Sequence, residues 1–186
     1  MGSVLVLFAH PAFQRSRVNR ALVAAARATD GVTVHDLYET YPDFLIDVKA
    51  EQRLLESHDA VVFQHPFFWY GSPSLVKEWL DLVLEYRWAY GEGGTALHGK
   101  ILAHAISAGG PEEAYRRGGS NHFSVRELLA PFEQTARLCG MAYAEAFTVH
   151  AAHHLDSSDL AAAALRYQSW LGSLRDGTAP LWLPPP

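Results

Sequence analysis

The sequence predicts an open α/β fold: a five-stranded parallel sheet of order 2-1-3-4-5, with helices on both faces in a three-layer sandwich. Short apolar runs alternate with segments of helical spacing five times along the chain, the pattern of parallel βαβ units joined by right-handed crossovers. The first run, Val4-Leu5-Val6-Leu7-Phe8-Ala9, is unbroken, as a strand covered on both faces must be. Three loops, each directly after an apolar run, carry the residues best suited to ligand contact, and open sheets of this order bind ligands at the carboxyl ends of their strands, beside the switch point between strands one and three.

The elements follow in order. After the first strand comes a polar turn at 10–16, then a helix over 17–28. Its apolar positions Val18, Ala21, Leu22, Ala25 and Ala26 form one core-facing stripe. Gly31 ends it, and residues 32–36 read as a short, half-polar second strand. Residues 38–47 read as a long connection into a short helix at 49–57. Ala60-Val61-Val62-Phe63 is the third strand. The helix over 74–85, with Ser74 as N-cap, places Val76, Trp79, Leu80 and Val83 on one face. Residues 88–99 form an excursion loop before the fourth strand, 101–106. A polar loop at 112–122 precedes a helix carried by Val125, Leu128, Leu129, Phe132 and Ala136, which Pro131 kinks or restarts. Residues 142–149 are the fifth strand. Leu160, Ala164, Tyr167, Leu171 and Leu174 carry the last helix, and a tail runs from about 175 to 186.

A chain of 186 residues suits a single domain with a full core. The formal charge of −5 gives no support to nucleic-acid binding, which needs a concentrated basic face. With Cys139 the only cysteine, no intrachain disulfide forms. No apolar run approaches the ~20 residues of a membrane span, and no signal-peptide pattern opens the chain. A cytoplasmic protein is expected.

The first loop precedes a helix N-terminus, whose free N–H groups and dipole attract phosphate. Ser16, Asn19 and His10 add side-chain donors there, although capping alone would also account for Ser16. The second, His65-Pro66-Phe67-Phe68-Trp69-Tyr70-Gly71-Ser72-Pro73, offers four consecutive aromatics bracketed by prolines and a glycine. Either they pack the core or they form a stiff wall for a flat ring. The third, Ser107-Ala108-Gly109-Gly110, has adjacent glycines that let backbone approach a ligand and aim N–H groups at negative charge. Gly91-Glu92-Gly93-Gly94-Thr95-Ala96 fits the dinucleotide-binding pattern but leads into a strand instead of a helix, so it is rejected. His150, His153 and His154 lack an accompanying ligand cluster and read as loop histidines, with no metal expected.

Together these residues resemble a known family. Ala9-His10-Pro11 with Ser16 and Asn19, the aromatic loop with Lys77, Trp79 and Asp81, Trp88-Ala89-Tyr90-Gly91, and Gly109-Gly110 with Tyr115 resemble the flavodoxin-like NAD(P)H:quinone oxidoreductases, the DT-diaphorase family. Tyr41-Pro42-Asp43-Phe44, Gly93-Gly94-Thr95 and Cys139-Gly140 are most similar to the ancillary oxidoreductases of glutathione-gated potassium efflux systems. The similarity spans nearly the whole chain. It implies a flavodoxin-like fold and a noncovalent flavin, FMN with FAD as the alternative. The flavin would be held by His10, Ser16, Arg17, Val18 and Asn19, by Phe67, Phe68, Trp69 and Tyr70, and by Ser107, Ala108, Gly109, Gly110 and Tyr115. It further implies NADH or NADPH as co-substrate, a quinone-type acceptor reduced by a ping-pong route, and Tyr115 with His122 as a proton relay. Trp88 and Tyr90 would wall the substrate pocket. The resemblance also implies a homodimer with flavin sites at the subunit interface, and a membrane antiporter partner that would hold the protein at the inner face of the membrane. Phe68 stands where some relatives carry Gln, and Ser107-Ala108 where some carry Thr-Thr, so side-chain hydrogen bonds made there in those relatives are absent or replaced.

Overall fold

The computed structural model describes residues 2–182; Leu183 and the three terminal prolines of the expected tail lie outside the described residues. Strands β1 (Val4–Phe8), β2 (Val32–Asp36), β3 (Ala60–Pro66) and β4 (Ile101–Ser107) lie parallel in the order β2-β1-β3-β4, as expected. The fifth position is filled by two pieces, β5 (Ala142–Tyr143) and β6 (Phe147–Val149), both parallel to β4. A single strand over 142–149 was expected. The break arises because Glu145 donates its N–H to Pro180 instead of to β4. The tail lies along this edge, with Ala144 bridging Leu181 and the Trp182 N–H bonded to the Tyr143 carbonyl, so an otherwise open sheet edge is covered.

Alternation along each strand divides the core into two layers. Val4, Val6, Val62, Ala103 and Ala105 face α1 (Arg17–Arg27) and α7 (Ser157–Arg175), packing on Val18, Leu22, Tyr167 and Leu171. Leu5, Leu7, Val61, Phe63 and Leu102 face the other way. They pack against α2 (Leu37–Thr40), α3 (Val48–Glu56), α4 (Ser74–Val83) and α6 (Ala130–Leu138) through Leu37, Leu55, Trp79 and Ala136.

Local chemistry sets the helix ends. Ser16 caps α1, accepting the Asn19 N–H. α2 falls inside the expected connection, because the Asp36 carboxylate accepts the N–H groups of Tyr38 and Glu39 and caps a turn there. Ser74 is not the α4 N-cap: Pro73 occupies that position in extended conformation and Ser74 is the first helical residue. The helix expected over 125–136 is two, α5 (Val125–Leu128) and α6, with Pro131 in the first turn of the second. A proline there costs no hydrogen bond.

Each face also buries a polar network. On the α3/α4 side the fully buried Glu51 carboxylate accepts from His35 Nε2 at 2.8 Å, Tyr41 Oη at 2.6 Å and Trp79 Nε1 at 2.8 Å. Burial pushes the Glu51 pKa up, but these three hydrogen bonds outweigh it and hold the group below the ordinary carboxylate value. On the α1/α7 side Gln64 lies between Tyr167 and Asn19. Gln64 and its neighbour His65 point to opposite faces, both fully buried. No helix among the described residues is long and apolar enough to cross a membrane.

Candidate functional site

A cavity of about 610 Å³ opens at the carboxyl ends of β1, β3 and β4, within the ~300–1,000 Å³ of small-molecule sites. All three anticipated loops contribute.

The first loop supplies His10, Arg15, Ser16, Arg17 and Val18 to the lining. Ser16 places the free N–H groups of an 11-residue helix at the cavity, flanked by the cations Arg15 and Arg17. His10 Nδ1 accepts the Ala12 N–H at 3.0 Å, so Nε2 carries the proton of the neutral ring. Burial lowers the pKa of His10 and outweighs an opposing backbone hydrogen bond, keeping it neutral near pH 7. Asn19 does not line the cavity. It is fully buried behind it, with Nδ2 donating to Ser16 Oγ at 3.1 Å and to Ser107 Oγ at 2.9 Å.

The second loop supplies Pro66, Phe67, Phe68, Trp69 and Tyr70. Phe67 is core on one side and bonds through its N–H to the Ser107 carbonyl. Phe68 and Gly71 close a tight turn whose two central residues, Trp69 (φ 51°) and Tyr70 (φ 63°), both sit in the left-handed region. That conformation costs about 1–2 kcal/mol per non-glycine residue. Trp69 is 94% exposed there. Two strained, solvent-facing aromatics gain nothing from the core, and stored strain of this kind marks ligand clamps.

The third loop supplies Ser107 and Gly109, with Tyr115 beyond it. Ala108 is fully buried and turns away, anchored by its N–H to Val149. Gly110 sits against Tyr115, whose ring edge lies 3.2 Å from where a Cβ would be. Burial first, and Tyr70 second, raise the pKa of the Tyr115 hydroxyl, so it stays protonated and able to donate.

The expected relay partner His122 is exposed, with φ 62°, and does not line the cavity. Asn121 stands closer, accepting the Tyr70 hydroxyl at 3.3 Å. The imidazole against Tyr115 is that of His150, with ring centroids 5.3 Å apart. Trp88 and Tyr90 do not line the cavity either. Trp88 donates Nε1 to Glu56 at 2.9 Å and both pack on the α3/α4 side of the core. Sequence reasoning missed Ala12, Arg15, Pro66, Ala152 and His153. Arg15 was findable, as a cation directly before a helix cap. His153, which lies 3.4 Å from where a Gly109 Cβ would be, has no such signal, because the loop after β6 is brought to the site by the fold alone.

The sheet order and a cavity at its switch point define an open α/β protein of the flavodoxin-like class. Residues 2–171 match the model of the family described as having a flavodoxin-like fold, and the chain belongs to that family. It is 46% identical over 170 residues to the glutathione-regulated potassium-efflux system ancillary protein KefG of Pectobacterium carotovorum, covering 91% of this chain and 93% of that one. It superposes with TM-score 0.87 on general stress protein 14 of Treponema denticola, solved in complex with FMN, at 44% identity over 92% of this chain and 99% of that one. An NADPH-quinone reductase from P. pentosaceus matches with TM-score 0.83 at 31% identity, over 91% and 97% of the two chains.

The residues present fit a flavin mononucleotide. The α1 N-terminus, Ser16 and two arginines suit a phosphate. The aromatic turn suits a flat ring.

Proposed function

We propose that the protein is a flavin-dependent NAD(P)H:quinone oxidoreductase that uses FMN. The observation that carries this reading is the two-part cavity lining, a phosphate-type helix terminus on one side and a strained aromatic wall on the other. The FMN complex of the Treponema relative and the quinone reductase name of the P. pentosaceus protein support it.

Bound there, FMN would supply two-electron hydride chemistry between NADH or NADPH and a quinone, in a ping-pong order. The chain's residues bind and orient. The α1 amides, Ser16, Arg15 and Arg17 would hold the phosphate, and Phe67, Phe68, Trp69 and Tyr70 would hold the ring face and exclude water from it. The Gly109 amide at the cavity, with that of Gly110 beside it, would favour negative charge on a bound ring. Tyr115 holds a proton on its hydroxyl oxygen and donates a hydrogen bond from it. His122 does not line this cavity.

Trp88 and Tyr90 lie too far round the fold to wall their own chain's site. They serve as substrate wall only across the interface of a homodimer, the assembly that completes this reading. A second reading, docking on a potassium-efflux antiporter, is favoured by the KefG relative; a membrane partner recovered with the protein on purification supports it.

Heat release and identification of the bound chromophore test the enzyme reading. Stoichiometric FMN and steady-state quinone reduction with NADH or NADPH are expected. A colourless protein that does not take up added FMN contradicts it.

A further inference from the structure

We propose that Tyr167, on α7, a helix that contributes nothing to the cavity lining, orients the hydrogen bonding of the two serine hydroxyls that line it, and thereby makes the site prefer a phosphomonoester to the same ligand without its phosphate. This rests on the flavin reading above.

The path is continuous and buried. Tyr167 Oη donates to Gln64 Oε1 at 3.0 Å, and Gln64 Nε2 donates to Asn19 Oδ1 at 3.4 Å. Asn19 Nδ2 then donates to Ser16 Oγ at 3.1 Å and to Ser107 Oγ at 2.9 Å. Tyr167, Gln64 and Asn19 are all fully buried. The path joins α7, β3, α1 and the end of β4, and only its last two members, the serines, reach the cavity.

A carboxamide can present either end to a neighbour, so two amides in series carry a direction only if something outside them sets it. Tyr167 sets it. In the reverse direction Gln64 would donate to the phenol oxygen and leave the phenol O–H without an acceptor in the core, a buried donor left unmade. Burial raises the pKa of Tyr167, so it does not escape by losing its proton. In the forward direction the phenol O–H and both Asn19 Nδ2 hydrogens are used.

The consequence appears at the serines. Ser16 Oγ accepts twice, from Asn19 N at 3.1 Å and from Asn19 Nδ2. Its two lone pairs are filled, so toward the cavity it can only donate. Ser107 Oγ accepts from the same amide and keeps its own proton for the cavity. A phosphate dianion offers only acceptors and matches the committed donor of Ser16 together with the available proton of Ser107. A terminal hydroxyl both gives and takes, and gains little from the commitment.

Titrating FMN and riboflavin separately into the 186-residue chain, wild type and Tyr167→Phe, with quenching of flavin fluorescence as readout, tests this. Phenylalanine keeps the ring against Trp170 and Phe147 and removes only the donor. FMN affinity should fall about tenfold, the worth of one hydrogen bond to a charged group, while riboflavin affinity stays within about twofold. The FMN-to-riboflavin preference therefore falls about tenfold. An unchanged preference, whether both affinities survive or both fall together, overturns the proposal and leaves Tyr167 a packing residue. If Tyr167→Phe does not fold, Gln64→Leu cuts the same path and the same ratio decides. Wild-type protein that binds neither flavin would remove the flavin reading itself, a result distinct from an unchanged ratio.

Discussion

The two faces of the sheet each bury a polar network, and the networks differ in one respect. Around Glu51, His35, Tyr41 and Trp79 all donate inward to one carboxylate, and nothing from it reaches the cavity. The path from Tyr167 through Gln64 and Asn19 is open at one end, where it reaches Ser16 and Ser107. A closed network can only stabilise the fold. An open one can also shape what binds at its end. The aromatic wall is a third condition, exposed and strained, with almost no tie to either network.

The largest expected effect breaks the closed network. Glu51→Ala leaves the Trp79 and Tyr41 donors unpaired in the core, and should cost roughly 3–5 kcal/mol of stability. Urea unfolding measures it, and FMN affinity of the folded fraction should not change. Loss of flavin affinity without loss of stability would erase the distinction between the two networks.

Acid probes the α3/α4 face next. Burial lowers the pKa of His65 from 6.5 to about 4, against a weaker backbone hydrogen bond, and holds that of His104 well below its ordinary value, with a contribution from His65. A histidine with a depressed folded pKa binds fewer protons folded than unfolded. Its stabilising contribution is therefore present above pH 6.5 and lost as pH falls toward 4. His65 alone accounts for about 3 kcal/mol of that loss. Glu51, also depressed, adds to the loss below its ordinary value of 4.5. The urea midpoint should drop steadily from pH 7 to pH 4, and the decline should be shallower in His65→Phe.

Asn19→Ala cuts the open network at its branch. Stability should fall by about 2 kcal/mol and FMN affinity should fall with it, where Glu51→Ala moves stability alone. Calorimetric unfolding with and without FMN separates the two effects.

The smallest effect on stability belongs to the wall. Trp69→Gly removes an exposed ring from a left-handed position, so stability should hold or rise by up to about 1 kcal/mol. FMN affinity should fall about tenfold through lost ring contact. If both fall together, the turn is part of the core and not a clamp.

Much of this was legible beforehand, for identifiable reasons. Unbroken apolar runs gave the strands and a 3.6-residue stripe gave α1, because burial on two faces or one leaves a periodic mark. Pro131 marked the break between α5 and α6. The split of the fifth strand was hidden, since it depends on Glu145 meeting Pro180 from the far end of the chain. Ser16 and the aromatic loop were readable as a site from their place after strands. That Trp69 is exposed while Phe67 is largely core was not, because an aromatic run looks alike in either role until the turn is known. The resemblance puts Asn19 at the ligand, yet it is fully buried behind the cavity lining and hydrogen-bonds to Ser16 and Ser107. His122 rests on the resemblance alone, with nothing local in the sequence to mark it, and it does not line the cavity.

Flavin-mediated hydride transfer is the activity proposed for this cavity. The most direct measurement mixes FMN-loaded protein anaerobically with NADH or NADPH while following flavin absorbance, then adds a quinone. The account predicts rapid bleaching by at least one nicotinamide and full recovery of colour on addition of the quinone. Bound FMN that neither nicotinamide bleaches would contradict it.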